Sequence, residues 1–290
     1  MYEYSKCNIC GLDETTVIID GDYKFVRCKK CGLVYKNPRI PKEEWISSLK
    51  ESTRENAGKI FLEAEKGLFA DIISKIEKKL GSNGKNIKLL DIGCGYGAFL
   101  ALVKEKKWDI AGTEMGVHAA NYVRDAYKVL VHQKNIQEMS IPDKEYDIVT
   151  LFGVLDFFYD PGKELNDIKR IIKDGGLLAM RINNGLWHLN MTRFAGKLAF
   201  LGLLPGVLHL YVFTPKSVTK MLKKAGFQNI EIYNSKFTKG DIYDTGGPFG
   251  KTFISVMKRL VYLFSQFIYF ASFKNIVIAP TMIVFARKGD

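Results

Sequence analysis

The period at which apolar residues recur divides this chain. Between residues 42 and 80, Ile60, Leu68, Ile72, Ile73, Ile76 and Leu80 follow one another at mostly helical intervals with charges between them, and Gly81-Ser82-Asn83-Gly84 closes the stretch; the spacing predicts a helical segment. From there to residue 182 short apolar runs alternate with helical patterns. Strands are predicted at 87–92, 109–113, 129–132, 146–152 and 176–182, and helices at 98–106, 117–126 and 161–172, the last stopped by Asp174-Gly175-Gly176. Such alternation builds βαβ units, so an α/β fold with five parallel strands is expected. Past Asn183 the sequence turns apolar and glycine-rich as far as Leu210, Thr214-Pro215 opens a helix to Ala225, and 229–233 and 280–286 read as two final strands.

Residues 1–40 follow neither period. They hold Cys7, Cys10, Cys28 and Cys31, four of the five cysteines, with short β-like stretches at 16–19 and 24–27 and a stop at Asn37-Pro38-Arg39-Ile40-Pro41. The expected division is a zinc-binding ribbon at 1–40, a helical linker packing on the core at 41–84, and a main domain at 85–290 with lid or insertion segments at 186–212 and 236–276. Cys7-x-x-Cys10 and Cys28-x-x-Cys31 stand 17 residues apart, a spacing at which two turns each offer two thiolates to a tetrahedral Zn²⁺. Gly11 and Gly32 suit the sharp turns that direct backbone N–H groups at sulfur. A redox dithiol, which needs one pair only, and a site that binds nothing are the alternatives. Residues 1–6 show no basic stretch leading into an apolar run, so a cytoplasmic protein is expected, and in a reducing compartment paired cysteines favour metal over disulfides. Four protein ligands leave no open position on the ion, which is therefore read as structural, supplying folding energy to a module too small to bury much core.

Composition adds little to this picture except through charge. The 290 residues are 47% apolar and 26% charged, ordinary values for a globular chain. The net charge of +12 suits phosphorylated or nucleotide-linked compounds, anionic lipid surfaces or nucleic acid, without choosing among them.

The candidate chemistry begins at Asp91-Ile92-Gly93-Cys94-Gly95-Tyr96-Gly97, where the first strand of the alternating region turns into its helix. Open α/β sheets bind ligands at that position, and glycines there allow close backbone approach. The third glycine comes one position earlier than in the dinucleotide fingerprint, which disfavours hydride transfer. The next strand ends at Glu114, a carboxylate placed to accept hydrogen bonds from both ribose hydroxyls. Two strand ends thus point to a nucleoside.

At these residues the chain resembles the class I S-adenosylmethionine-dependent methyltransferases over roughly 60–235. The resemblance implies a Rossmann-like, doubly wound and mostly parallel seven-stranded sheet with an antiparallel last strand, and S-adenosylmethionine as cofactor. It places Asp91, Gly93 and Gly95 along the methionine end, with Cys94, Tyr96 and Gly97 completing the loop. Glu114, followed by Met115, would hold the ribose; Asn135 and Ile136 would flank the adenine, and Phe152 and Gly153 would sit beneath the cofactor. Cys94 reads as a small packing residue rather than a nucleophile. The ribbon's second pair, Arg27-Cys28-Lys29-Lys30-Cys31-Gly32-Leu33-Val34-Tyr35-Lys36-Asn37-Pro38-Arg39, together with His209-Leu210-Tyr211-Val212-Phe213-Thr214-Pro215, is similar to bacterial methyltransferases of glycan and secondary-metabolite biosynthesis, including sugar C-methyltransferases. Such relatives show Leu-Glu-His where this chain has Leu155-Asp156-Phe157, which removes an imidazole that could serve as a base and weighs against sugar C-methylation while leaving methyl transfer intact.

Methyl transfer needs chiefly an aligned acceptor, and a base helps when the acceptor is a hydroxyl. Asp156, His188 and His209 are the candidates; each is equally readable as a packed or solvated residue, and Asn183 and Asn184 are candidates to orient a polar acceptor. The expected acceptor is a small molecule, sugar or glycan, nucleotide- or lipid-linked. The apolar stretch at 253–273 is read as core or lid; with Lys251, Lys258, Arg259 and Lys274 beside it, the alternative is peripheral contact of 253–274 with an anionic membrane. Two rival functions share the sequence: an RNA methyltransferase gripping phosphates through ribbon and basic surface, and a non-catalytic module that binds the cofactor and uses the ribbon for protein contacts.

Overall fold

A computed structural model of the chain describes residues 2–21, 24–51, 58–81, 86–195, 208–239 and 250–289. The turn at 82–84, the middle of the 186–212 segment and part of the 236–276 insertion lie outside the described residues. Three short strands come first, β1 (Thr15–Ile19), β2 (Phe25–Cys28) and β3 (Val34–Lys36), followed by helices α1 (Lys42–Glu51) and α2 (Gly58–Leu80). The alternating region then runs β4 (Lys88–Ile92), α3 (Ala98–Lys104), β5 (Asp109–Thr113), α4 (Val117–Tyr127), β6 (Leu130–His132), β7 (Tyr146–Phe152), α5 (Pro161–Ile171) and β8 (Ile172–Asn183). The remainder is α6 (Gly185–Ala195), β9 (Tyr211–Val212), α7 (Pro215–Lys224), β10 (Phe227–Asn234), α8 (Gly250–Ala271) and β11 (Thr281–Lys288).

Seven strands form one sheet in the order β10-β11-β8-β7-β4-β5-β6. The five from β6 to β8 pair in parallel, while β11 runs antiparallel to both neighbours, β8 and β10. The expected α/β class, the five parallel strands and the reversed last strand are all present. Strand alternation divides the core between the two faces. Met282, Val284 and Ala286 of β11 join Leu178, Met180 and Ile182 of β8 on the face covered by α5 and α7, whereas Ile283 and Phe285 join Leu177 and Ala179 under α2, α3 and α4. Odd-numbered positions of β8 and β4 therefore face α2, which decides where Asp91 and Arg181 point.

Local chemistry explains the helix starts. Asp160 caps α5 through Lys163 N–H, with Pro161 in the first turn, and Thr214 caps α7 in a reciprocal capping box with Ser217 ahead of Pro215. Two expectations need adjustment. Asp174-Gly175-Gly176 does not cap a helix but lies inside β8, which begins at Ile172; Gly175 has a φ of 67° and the β7–β8 register shifts there, so the glycines absorb an irregularity in a strand. The region past Asn183 contains α6, and the insertion before the last strand contains α8, neither assigned as a helix from the sequence; in α8 the apolar residues are too continuous to show a face.

The ribbon docks by sharing a sheet with the main domain. Its strands form the order β1-β2-β3-β9, with Val34 opposite Val212 and Tyr35 opposite Tyr211. Side chains complete the seam: the buried Arg39 guanidinium donates to the Tyr159 carbonyl (2.6 Å) and Tyr211 Oη (3.1 Å) and lies 3.7 Å from the Tyr159 ring centroid. Asn8 donates to Tyr211 Oη (3.1 Å) and accepts from Gly162 N–H (2.9 Å). The N-terminal end of α5, from Tyr159 to Gly162, is thereby tied to the cysteine-bearing module.

Candidate functional site

The glycine loop joins β4 to α3 at the carboxyl end of the sheet, and Gly93, Gly95 and Gly97 all have positive φ, at 67°, 52° and 72°. Their surroundings differ. A Cβ on Gly93 would lie 2.5 Å from Val154 Cγ2 and one on Gly97 would lie 2.8 Å from Val123 Cγ2, whereas one on Gly95 would meet nothing within 4 Å. Gly93 and Gly97 are thus packing glycines, and Gly95 opens onto free space. Gly153, at a φ of 74°, has the same open surroundings. Cys94 is buried with its Sγ against Gly112, where a Cβ would come within 2.9 Å, and burial pushes its thiol well up; the packing role expected of it fits this position.

One carboxyl touches the loop at Gly95, and two more lie within electrostatic reach of one another behind it. Glu114, at the end of β5, accepts from Gly95 N–H (2.9 Å) and Gly116 N–H (2.7 Å), which hold its carboxylate against the loop, while burial raises its pKa. Asp91 is 2% exposed and accepts from Thr150 Oγ1 at 2.6 Å, its register neighbour on β7. Burial, with Glu114 and Glu65 adding repulsion, raises the Asp91 carboxyl to about 7. Burial also lifts Glu65 of α2 to about 7, with Arg181 opposing the shift.

The other loop residues lie further out. The Tyr96 ring stacks on Phe61 of α2 with centroids 5.5 Å apart, and Met115 is half-buried between Glu114 and Gly116. Asn135 caps a short 3₁₀ turn, its side chain accepting from Glu138 N–H at 3.1 Å, and Ile136 is buried. The Phe152 ring packs edge-on against Phe99 at 4.7 Å, in the core under α2 and α3.

Past the ends of β7 and β8 lies a second polar group. Asp156, 3% exposed, accepts from Asn183 Nδ2 through Oδ2 at 3.0 Å, while its Oδ1 has no hydrogen-bond partner among the described residues. His209 brings Nε2 to 3.9 Å from Asp156 Oδ2, and its ring lies 3.8 Å from that of Phe157. Burial raises the Asp156 pKa and lowers that of His209, each opposed by attraction to the other. Arg181 donates to Ser235 Oγ (3.0 Å) and Thr281 Oγ1 (3.2 Å). His188 is committed elsewhere: its Nε2 lies 3.0 Å from the Pro280 carbonyl. Asn184 is likewise structural, donating to the carbonyls of Val277 (3.1 Å) and Ala279 (3.0 Å). Of the three base candidates, the fold pairs Asp156 with His209.

Sequence reading passed over Glu65, Thr150 and Arg181. Two of them carried a signal. Glu65 sits four residues after Phe61 and four before Phe69, on the buried stripe of α2, and Arg181 interrupts the apolar run of β8; a charge on a core-facing register asks for a partner or a ligand. Thr150 in an apolar strand had none.

The four N-terminal cysteines come together as their spacing predicts. All four Sγ atoms lie within 4.8 Å of one another, with Cys7 to Cys31 at 3.3 Å and Cys10 to Cys28 at 3.4 Å. These separations exceed a disulfide bond and suit tetrahedral ligation, since Zn–S bonds of about 2.3 Å set sulfurs roughly 3.8 Å apart. The two turns are alike: Gly11 N–H bonds the Cys7 carbonyl (2.7 Å), Gly32 N–H bonds the Cys28 carbonyl (3.0 Å), and both glycines have positive φ.

Comparison with known proteins agrees with this geometry. A family described as a methyltransferase domain matches residues 61–232, more than half of the chain. Among curated proteins the chain is similar to one named a probable S-adenosylmethionine-dependent methyltransferase, of Mycobacterium tuberculosis, 28% identical over 97 residues, which are 33% of this chain and 35% of that protein. It is also similar to the ubiquinone biosynthesis O-methyltransferase of Coxiella burnetii, 23% identical over 164 residues, 54% of this chain and 69% of that one. The chain thus spans only about a third of the length of the mycobacterial relative. Among solved structures, an S-adenosylmethionine-dependent methyltransferase from Listeria monocytogenes superposes with a TM-score of 0.52 at 16% identity, covering 77% of this chain and 100% of that one. A chain from the complex of the Haloferax volcanii Trm112 methyltransferase activator with a methyltransferase gives 0.53 at 13%, covering 82% and 98%. At these identities the structures share the fold.

Proposed function

The chain belongs to the methyltransferase-domain family, and from that premise we propose that it transfers a methyl group from S-adenosylmethionine to a hydroxyl of a small molecule, sugar or glycan, nucleotide- or lipid-linked. The observation that carries this reading is the set of desolvated carboxyls, Glu65, Asp91 and Glu114, beside the open face of Gly95. Desolvated acids with raised pKa values, with Arg181 opposing the shift at Glu65, favour a cationic ligand. S-adenosylmethionine would supply there a methyl group made electrophilic by a sulfonium. Asp91 and Glu65 would offset the ligand's positive charge, and Glu114 would exchange its backbone partners for ribose hydroxyls. Gly93, Cys94, Gly95, Tyr96, Gly97 and Met115 would form the wall of the site, Asn135 and Ile136 the adenine side, and Phe152 and Gly153 the floor.

This assignment has a pH signature. In the free protein Asp91 and Glu65 hold protons up to about pH 7, and a cationic ligand favours their ionised forms. Binding below that pH must release protons, so affinity should rise with pH up to about 7 and level off above it. Calorimetric titration in buffers of different ionisation heats reads the proton release directly; uptake of protons, or none at pH 6, would contradict the role given to these carboxyls.

On the acceptor side we assign His209 as the base and Asp156 as the residue that orients it. Asp156 faces Nε2 and leaves Nδ1 to take the hydroxyl proton as the acceptor oxygen attacks. Asn183, Arg181 and Ser235 supply further hydrogen-bonding groups suited to a hydroxyl-rich acceptor. Because burial holds His209 below the ordinary histidine value, it is neutral at pH 7. The rate should therefore climb with pH through the region below about 6.5 and stay flat above. His209→Gln should lower kcat by roughly 10²-fold or more and remove that acid limb, with S-adenosylmethionine affinity unchanged. An unaltered pH profile in the variant would remove His209 from the reaction.

For the cysteine cluster we propose a structural Zn²⁺ held by Cys7, Cys10, Cys28 and Cys31. The sulfur separations and the two matching glycine turns support it.

A further inference from the structure

From Val256 to Phe270 the outward face of α8 carries a continuous apolar stripe. Val256, Leu260, Leu263, Phe264, Phe267 and Phe270 recur at intervals of three and four residues, so they share one side of the helix, and their exposure runs from 51% at Val256 to 67% at Phe267. Phe273, 89% exposed, and Ile276 extend the stripe past the helix end. The opposite side does the packing: Tyr269 and Ser265 are buried, and Asn234 Nδ2 donates to the Ser265 carbonyl at 2.8 Å. A continuous run of exposed aromatic and aliphatic side chains marks an interaction surface.

We propose that α8 docks this protein on the surface of an anionic lipid bilayer, lying in the boundary between headgroups and acyl chains. Charge complementarity selects the occupant. From Thr245 to Gly289 the chain has no Asp or Glu but carries Lys251, Lys258, Arg259, Lys274, Arg287 and Lys288, and the whole chain has a net charge of +12. Arg259 and Lys274 are exposed beside the apolar stripe, the arrangement of an interfacial helix with basic flanks. A second copy of the chain fits less well, because a two-fold contact through this face would bring like charges together with no acid on the helix to pair them. Among the described residues no helix is long and apolar enough to cross a membrane, so the contact is with one leaflet. The helix is joined firmly to the acceptor side of the site: Asn234 Oδ1 accepts from the N–H groups of Ile278 and Ala279, and the Pro280 carbonyl meets His188. Docking would therefore hold the acceptor pocket close to the leaflet. The docking itself does not depend on methyl transfer.

The test is flotation of the full chain with vesicles of phosphatidylcholine, alone or mixed with phosphatidylglycerol. The wild type should float with the mixed vesicles, weakly with the neutral ones, and less at high salt. Phe264→Glu combined with Phe267→Glu should reduce partitioning about 100-fold, with circular dichroism and S-adenosylmethionine binding unchanged, since both side chains face outward. Absence of flotation with either vesicle, or equal flotation of the variant, overturns the proposal. So does a dimer in light scattering that the two substitutions dissociate, because the face would then belong to a second copy. Loss of cofactor binding in the wild type would count against the methyltransferase reading alone.

Discussion

Gly95→Arg is expected to abolish S-adenosylmethionine binding while leaving the chain folded. A Cβ at Gly95 would meet nothing within 4 Å, so a side chain leaves the backbone there without a clash and extends into the volume assigned to the ligand. Its guanidinium would also stand beside Glu114 and within the field of Asp91, taking the place of the cationic ligand. The φ of 52° costs a non-glycine residue roughly 1–2 kcal/mol, which a domain with about 5–15 kcal/mol of stability tolerates. The dissociation constant should rise at least about 100-fold, or about 2.7 kcal/mol. Gly95→Ala carries the same backbone strain without filling the space and should bind nearly as well as wild type, which separates strain from occlusion. Glu114→Ala removes the acceptor for two backbone N–H groups and for the ribose, and should weaken binding by about 10- to 100-fold. Calorimetric titration, with a thermal melt of each variant as the folding control, checks all three. Near-wild-type affinity in Gly95→Arg would mean that the ligand does not lie over this loop.

Stripping the proposed Zn²⁺ should unfold the ribbon and carry damage into the acceptor side. A four-cysteine zinc site contributes on the order of 10 kcal/mol of folding free energy to a small module, more than β1, β2 and β3 recover by packing a core of a few side chains. Because β3 pairs with β9, loss of the ribbon frees Tyr211 and Val212, two and three residues after His209. Trp45, just past the ribbon, also donates to the Phe157 carbonyl at 2.8 Å and stacks on the ring that holds His209. Strong chelation, or Cys28→Ser, should release one zinc per chain and deprotect the amides of 25–36 and 211–212 to hydrogen exchange. Methyl transfer should fall while cofactor binding at the glycine loop persists. Full protection in metal-free protein would show that the cysteines close the ribbon without an ion.

Much of the fold was legible before any coordinates, and the reason is that its signals are local. Alternation of short apolar runs with helical patterns requires nothing beyond neighbouring residues, and it located all five parallel strands and the helices between them. The cysteine pairs and their glycines were legible for the same reason: each turn is five residues of chain, and only the meeting of two turns needed the structure. The glycine loop was partly legible. Its three positive φ values follow from composition, but that Gly93 and Gly97 serve packing while Gly95 faces open space depends on Val154 and Val123, which come from other parts of the sequence.

The chemistry around the site belongs to longer-range contacts. Asp156 and His209 are 53 positions apart, and nothing in either neighbourhood says that one will stand 3.9 Å from the other while His188 turns to the Pro280 carbonyl. Glu65 reaches the field of Asp91 because α2 covers the face toward which odd-numbered residues of β4 project. The stripe of α8 read from sequence as core or lid, with membrane contact the alternative, because an apolar helix side is the same whether it meets protein, lipid or water; only the burial of Ser265 and Tyr269 on the opposite side shows which way it faces. Composition and spacing settle which elements form, since backbone hydrogen bonding and side-chain period act over a few residues. Which of them meet is settled by crossover connections and the packing of two sheet faces, which join residues that the chain itself keeps far apart.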